Sequence, residues 1–391
     1  MASTPNPKLP TSLLRGLFLG DLEPRALLPF PTRPKEEIES TEQVVGAVSD
    51  FARDRIDARR IDEDGKIPKE VLDGLRELGL FGMLTPAEYG GLGFGATTYC
   101  RVLERLCGHC TSCAATVGAH QSIGLKPILL FGSEDQKRRW LPHLASGDRL
   151  AAFALTEPGA GSDVQSLATI ADPTPDGGFK IRGSKIWITN GGIASLYTVF
   201  AKTPDPENPN QRKISCFVVP RDAPGVTVGK EEEKMGLRGS STTAIFFEDV
   251  VVPRENLIGD LGRGFKVAVE TLNSGRHGLA AGCLGVGRAA LADATAHARA
   301  RQQFGKPIIE FPLVQEMLAN AAADLFAIEA GCYWVAGRID AGAGDVALEA
   351  AACKIFATES LWRITNDCLQ VAGAPDSCAS SPTSGACATP A

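Results

Sequence analysis

The chain has 391 residues, 44% of them hydrophobic, and a formal net charge of −6, which supports two or three packed units with an ample core. No basic block occurs, which argues against nucleic acid or an anionic membrane as a partner, and the longest apolar runs are too short to span a bilayer. The 11 cysteines follow no framework spacing and no secretory signal precedes them, so we expect reduced thiols and no metal site.

The predicted elements form a helical unit, a β unit and a second helical unit, in an α + β arrangement. Residues 1–35 are rich in proline and carry both charge signs, which predicts an extended arm rather than a mitochondrial presequence. Residues 36–150 show helical periodicity, interrupted by a glycine-rich loop at Glu88–Gly93. This first unit is therefore predicted to be an N-terminal helical domain.

Residues 151–255 consist of short alternating runs separated by Gly, Pro, Asp and Asn, which predict an antiparallel β-barrel or sandwich. The longer predicted strands are Phe179–Thr189, Leu196–Lys202, Lys213–Val219, Gly225–Lys230 and Ser241–Val252. Helical spacing returns over residues 256–373, in an incomplete bundle. Residues 374–391 have no periodicity and are predicted to be a disordered tail.

Two segments carry the chemistry of the chain. In Phe153–Asp163 a strand is broken by a Glu-Pro step and opened by two glycines, so that backbone N–H groups and the hydroxyls of Thr156 and Ser162 can hold a ring edge or a phosphate. Lys185–Gly192 is a strand ending in Asn-Gly-Gly that presents Trp187, whose ring suits a flat heterocycle. Taken singly, each segment is also typical of an ordinary hairpin with a buried tryptophan.

Together the two segments closely resemble the flavin-binding signature of the acyl-CoA dehydrogenase family. Further segments are similar to its very-long-chain branch, among them Gly118–Gly124, Leu141–Gly147, Lys234–Arg238 and Arg301–Gly305. The resemblance runs from about Ser12 to Gly373. It implies that family's fold, with a helical domain on either side of a β domain.

The resemblance also implies an activity. It is the FAD-dependent α,β-dehydrogenation of a long- or very-long-chain acyl-CoA to trans-2-enoyl-CoA in fatty acid β-oxidation. Electrons would pass to an electron-transferring flavoprotein, and the chain would form a homodimer. Its location would be the cytoplasm in a bacterium, or the mitochondrial matrix or inner-membrane face in a eukaryote.

Three groups of residues match the family's functional positions. The flavin pocket would comprise Phe153, Leu155, Thr156, Gly161, Ser162, Trp187, Ile188 and Thr189. Contacts to the adenine side of a flavin would come from Arg301, Phe304, Gln370 and Gly373. Arg301 and Phe304 would contact the flavin of the neighbouring subunit. The thioester and acyl entrance would be lined by Ser162, Ser274, Gly275, Arg276 and His277.

The sequence assigns no catalytic base. In most of the family the base is a Glu in a Glu-Gly step of a later segment, and this chain ends before that segment. Some relatives carry the Glu on the helix matching Phe265–Arg301, where this chain has Gly275, and Glu270 is turned about 140° from that face. The rival interpretation is thus a catalytically silent, truncated homologue that acts in assembly or interaction. His277 replaces a Phe of the relatives and either alters the pocket or faces solvent.

Other chemistry is less well supported by the residues. Gly91–Ala96 and Gly285–Ala290 approach the nucleotide-binding glycine spacing, but one lies between helices and the other inside one, which argues against a Rossmann dehydrogenase. Cys107–Cys113 gathers thiols and an imidazole without the second ligand pair of a zinc site, and it fits a helix packing face equally well.

Overall fold

A computed structural model describes residues 12–20, 27–343 and 345–373, and the predicted disordered tail lies outside them. The N-terminal part is helical, as predicted. Its helices are α1 (Leu13–Leu19), α2 (Lys35–Arg55), α3 (Ala58–Asp64), α4 (Lys69–Glu77), α5 (Ala96–His109), α6 (Thr111–Ala119), α7 (Lys126–Phe131) and α8 (Glu134–Ala145). A π-helical turn, His120–Gly124, joins α6 to α7.

The expectation of an extended arm is wrong where α1 forms. Ser12 caps the helix by accepting a hydrogen bond from the backbone N–H of Arg15, and Gly20 ends it in the left-handed conformation with φ 80°. The Ser12 hydroxyl also donates to Glu349 at 2.7 Å, which ties α1 to the C-terminal unit. The sequence signal for α1 consists of these two capping residues alone. The proline-rich composition around them therefore favoured the prediction of an extended arm.

The middle part of the chain, which follows the N-terminal helices, is a β-sheet. Its strands are β1 (Ala151–Ala154), β2 (Ile170–Pro173), β3 (Phe179–Thr189), β4 (Leu196–Pro204), β5 (Arg212–Pro220), β6 (Val226–Glu231), β7 (Thr242–Val252) and β8 (Leu257–Ile258). The strands are ordered β6-β7-β3-β2-β4-β5-β8, and β1 adds to β4. Phe200 and Cys216 on one face pack toward the helices, while Tyr197 and Phe217 fill a second core on the other face.

The sheet is mixed, whereas the sequence predicted antiparallel pairing throughout. β1 runs parallel to β4, with Ala151 opposite Leu196, and β2 also meets β4 in parallel. The chain passes through two intervening strands before it reaches β4, and a connection of that length permits parallel pairing.

Three long helices complete the described chain: α9 (Gly264–Ala300), α10 (Pro312–Asp340) and α11 (Ala347–Ala372). Between α9 and α10 lies a small hairpin of β9 (Gln302–Gln303) and β10 (Lys306–Pro307). A Cβ on Gly285 would lie 1.9 Å from the carbonyl oxygen of Glu104, so this glycine is needed for α5 to approach α9. Among the described helices, none is long and apolar enough to cross a membrane.

Candidate functional site

The structure joins the two motif segments at one end of the sheet. The backbone N–H of Ile186 donates to the carbonyl of Thr156 at 2.9 Å, and the Lys185 ammonium donates to the carbonyl of Leu155 at 3.1 Å. The end of β1 therefore lies directly beside the end of β3. This contact brings together the residues predicted for the flavin pocket on these strands: Phe153, Leu155, Thr156, Trp187, Ile188 and Thr189.

A β-bulge turns the tryptophan outward. The pairing of β3 with β7 slips between Lys185 and Ile188, and Trp187 between them has φ 58°. A left-handed backbone is uncommon for so bulky a residue and clusters at functional sites. Ile188 is buried, whereas Trp187 is 59% exposed, so its ring is available as a wall for a ligand. The sequence placed Trp187 on a strand but gave no sign of the bulge.

The loop beside this ring offers unused hydrogen-bonding groups. The hydroxyls of Thr156, Ser162 and Thr189 have no hydrogen-bond partner among the described residues. A Cβ on Gly159 or Gly161 would meet nothing within 4 Å, and neither residue has a positive φ. Neither backbone strain nor a protein neighbour thus requires these glycines, which leave room for a ligand to approach the chain. Open backbone, free hydroxyls and an exposed indole fit a flat heterocycle with polar edges.

A buried ion pair, missed by the sequence reasoning, supports the loop from below. Lys185 is fully buried and Glu157 is 5% exposed, and their charged groups lie 2.7 Å apart. Glu157 also accepts hydrogen bonds from the backbone N–H groups of Ala168 and Thr169, so both of its oxygens are used. The pair fixes the segment just before Gly159 to the strand that carries the tryptophan. The only features of the sequence that could have indicated this ion pair are the Glu-Pro step of the first motif and the Lys of the second.

Burial and the partner charge act in opposite directions on this pair. Burial lowers the pKa of Lys185 to about 8, and the Glu157 carboxylate opposes that shift. Burial would raise the pKa of Glu157, but the charge and hydrogen bond of Lys185 outweigh it and hold the pKa below its ordinary value. Both groups are therefore charged at neutral pH.

The π-helical turn links the loop region to α9. His120 accepts from the backbone N–H of Ala151 at 2.9 Å through Nδ1, and its Nε2 lies 2.9 Å from the carbonyl of Leu144. Burial lowers the pKa of His120 to about 4, so the ring is neutral and held in one tautomer. On the other side of the turn, a Cβ on Gly275 would lie 3.3 Å from Cβ of Ser122. The position of Gly275 thus faces the turn that abuts β1.

The residues predicted to line the acyl entrance separate onto different faces. Ser274 and His277 line a large cavity on one side of α9, whereas Gly275 faces the π-helical turn. His277 is 5% exposed, so of the two alternatives it lies in the interior and does not face solvent. Glu270 also lines the cavity and lies 3.6 Å from Lys266. Arg276 donates to Asn273 on its own helix, and Ser162 remains exposed in the loop.

The residues predicted for the adenine side lie at the ends of α9 and α11 and in the small hairpin. Arg301 follows Gly275 by 26 residues, which is about 39 Å along a helix at 1.5 Å per residue. Phe304, in the turn of the small hairpin, is 93% exposed with φ 52°. Gln370 is exposed near the end of α11, and Gly373 ends that helix with φ 78°. Arg301 therefore lies at the opposite end of α9 from Gly275.

The cysteine and histidine cluster is occupied by packing contacts. His109 Nε2 lies 3.0 Å from the carbonyl of Ile56, and Cys110 and Cys113 are buried at the junction of α5 and α6. Over the described residues, no three metal-ligating side chains converge.

Comparison with known proteins follows the same division of the chain. Models of the acyl-CoA dehydrogenase N-terminal, middle and C-terminal domains match residues 38–148, 152–250 and 262–376. The very long-chain specific acyl-CoA dehydrogenase of Rattus norvegicus mitochondria is 44% identical over 363 residues, which are 92% of this chain and 55% of that protein. The chain thus spans about half the length of the curated relatives it matches.

Solved structures agree with these sequence matches. Butyryl-CoA dehydrogenase from Megasphaera elsdenii superposes with a TM-score of 0.86 at 35% identity, over 91% of this chain and 93% of that one. An acyl-CoA dehydrogenase from Bacillus anthracis complexed with FAD gives 0.82 at 34% identity, over 89% of this chain and 62% of that one. On its domain matches, identities and fold, the chain belongs to the acyl-CoA dehydrogenase family.

Proposed function

We propose that the chain carries the FAD site of an enzyme that dehydrogenates long- or very-long-chain acyl-CoA, with electron-transferring flavoprotein as the electron acceptor. The observation that supports it most is the hydrogen bond from Ile186 to Thr156, which joins the segment of Thr156 to the strand that carries the outward-facing Trp187. Bound FAD would supply the hydride acceptor for the β-carbon of the substrate. The residues of the chain bind, orient and shield the reacting groups.

Each pocket residue then has a defined task. The hydroxyls of Thr156 and Thr189 donate to the polar edge of the ring system, and Trp187 covers one of its faces. Phe153 and Leu155 are nearly buried and form the apolar floor from which that edge projects. The ion pair of Lys185 and Glu157 sets the position of the loop and does not touch the cofactor. Ser162, exposed at the outer end of the loop, is left to contact the substrate side.

Removal of the α-proton of the substrate requires a carboxylate base. The lack of an assigned base supports the rival function, that of a catalytically silent homologue. Gly275 occupies the position on α9 where some relatives carry the base, and Glu270 lines the cavity away from the π-helical turn. A chain that binds FAD and acyl-CoA but supplies no base would act in assembly or binding and not in turnover. The two functions share the flavin pocket and differ in this one group.

We expect Thr156→Val and Trp187→Ala to weaken FAD binding without unfolding the sheet. Loss of one hydrogen bond to a buried polar group costs about 1–3 kcal/mol, so Thr156→Val should raise the Kd for FAD about 5- to 150-fold. Thr227→Val, the same change on the exposed face of β6, is the control and should leave the Kd unchanged. Titration of the flavin-depleted protein with FAD measures this, and equal Kd values for Thr156→Val and Thr227→Val would refute the pocket.

The chain is further proposed to form a two-fold dimer through its last helices. Large apolar side chains are exposed on the small hairpin and on both of the last helices. They are Phe304 on the hairpin, Leu313 and Phe326 on α10, and Ile355 and Trp362 on α11. A second copy would cover them and bring Arg301 and Phe304 to the cofactor of its neighbour.

We expect the parent chain to sediment as a dimer at micromolar concentration and Phe326→Asp to shift it toward monomer, because a buried carboxylate at the interface has no partner. Met235→Asp introduces the same charge at a side chain that is 96% exposed in a loop of the β unit, and it should stay dimeric. Analytical ultracentrifugation distinguishes the states. A parent chain that remains monomeric at all concentrations argues against this interface.

A further inference from the structure

A large cavity lies apart from the proposed flavin pocket. It has a volume of about 1080 Å³ and opens between the loop after α4, helix α7, the first half of α9 and the junction of α10 with α11. Apolar side chains form much of its wall, including Leu84, Phe94, Leu129, Ile339 and Val346. A cavity of this size and character can bury a ligand with an extended apolar body.

Lys126, the first residue of α7, presents a lone ammonium group on this wall. Among the described residues it has no hydrogen-bond or ion-pair partner, and burial alone lowers its pKa to about 8. The group is therefore still mostly charged at neutral pH. Lys126 is half-buried, and its ammonium has no acceptor on the cavity wall, so the wall lacks an anion at this point.

Most other charged groups on the wall have partners of their own. They are Glu134 with Lys137, Glu270 with Lys266, Asp345 with Arg15, and Asp340 with the backbone N–H of Thr97. Glu88 is exposed at the rim. None of these carboxylates pairs with Lys126, so no residue that the structure describes supplies the anion that it lacks.

His277 is a second polar group on this wall without hydrogen-bond partners among the described residues. Neither ring nitrogen has a hydrogen-bond partner, and the ring packs edge-on against Tyr99 with a centroid distance of 6.2 Å. Burial, with a smaller contribution from the charge of Lys126, lowers the pKa of His277 to about 4. The imidazole is therefore neutral, and its ring N–H is an unused hydrogen-bond donor on the cavity wall.

We propose that this cavity binds an amphipathic carboxylate, whose anionic head pairs with Lys126 next to His277 and whose apolar chain lies along Leu129 and Phe94. The proposal goes beyond acyl-CoA oxidation, because a free carboxylate would bind there with or without FAD. The carboxylate has two possible sources, a free fatty acid or the distal end of a dicarboxylic acyl-CoA. Both present the same chemistry to Lys126.

The test titrates the purified full chain with dodecanoate and with dodecanol by calorimetry, below the concentrations at which they form micelles. Dodecanoate should bind more tightly, and Lys126→Met should weaken its binding about 10- to 100-fold, since a hydrogen bond to a charged group is lost. Lys126→Arg keeps the charge and should retain the binding. Lys137→Met removes a cation of the same wall that already pairs with Glu134, and it should have little effect.

A second arm compares dodecanedioyl-CoA with dodecanoyl-CoA. If only the dicarboxylic thioester depends on Lys126, the ligand is the distal carboxylate of a substrate and the site stands. If dodecanoate depends on Lys126, the ligand is a free fatty acid. The site is refuted if neither ligand is affected by Lys126→Met, or if Lys137→Met weakens dodecanoate equally. Because FAD affinity is measured separately, failure here leaves the flavin proposal untouched.

Discussion

Replacing Lys185 by Met should destabilise the β unit by about 3–5 kcal/mol, the usual cost of breaking a buried ion pair from one side. The variant leaves the Glu157 carboxylate buried beside Ala168 and Thr169, with its ammonium partner gone. The loop at Gly159 then loses its tie to the tryptophan strand, so FAD retention should fall together with stability. Urea unfolding followed by circular dichroism measures the first effect, and the flavin content of the purified protein the second.

Two further variants separate the ion pair from general damage to the strand. Lys180→Met removes a lysine of the same strand whose contact with Asp249 is exposed and 3.9 Å long, and such pairs contribute at most about 1 kcal/mol. The double variant Glu157→Gln, Lys185→Met removes both charges and should recover part of the stability. If Lys185→Met unfolds at the same urea concentration as Lys180→Met, the ion pair does not support the loop.

Replacing Gly275 by Glu should speed the reduction of bound FAD by palmitoyl-CoA about 10²- to 10⁴-fold, the usual contribution of a general base. The new side chain would start 3.3 Å from Cβ of Ser122, a contact that a small shift of that serine relieves. Anaerobic stopped-flow recording of the oxidised flavin band gives the rate directly.

Gly275→Gln is the matched control, since it has nearly the same shape and no basic carboxylate. Both variants should retain FAD equally and differ only in the rate of bleaching. Equal rates would mean that this face of α9 does not meet the α-carbon of the substrate. A parent chain that already bleaches rapidly would identify another carboxylate as the base, with Glu270 the first to test, and would exclude the catalytically silent alternative.

Much of the fold could be predicted because its determinants are local. The strand Phe179–Thr189 was predicted with its observed ends, and helix α9 differs from the segment Phe265–Arg301 by one residue at each end. Periodic burial and turn residues specify such elements within a short window. Parallel pairing between β1 and β4 depends on residues 45 positions apart, so no window of that kind contains it.

The candidate site divides in the same way. Motif residues such as Thr156 and Trp187 could be named from the sequence because their two segments together resemble the flavin-binding signature of the family. The left-handed bulge at Trp187 arises from the register of β3 against β7, which periodicity does not report. The pairing of Glu157 with Lys185 is likewise tertiary, since each residue alone is typical of a solvated surface. The burial of His277 is set by the packing of α9 against α5, and it too needed the structure.

Parallel pairing of β1 with β4 has a consequence for how the protein acquires its cofactor. It joins Ala151 to Leu196, and both motif segments lie inside the stretch of chain that this contact closes. Pairing between distant segments loses chain entropy when the loop closes, before the new contacts stabilise the closed state. Such pairing therefore forms slowly and late in folding. On the proposed assignment, FAD has no site until that closure is complete. Added FAD should therefore raise the yield of refolding by stabilising the finished β unit, and it should leave the rates of the earlier steps unchanged.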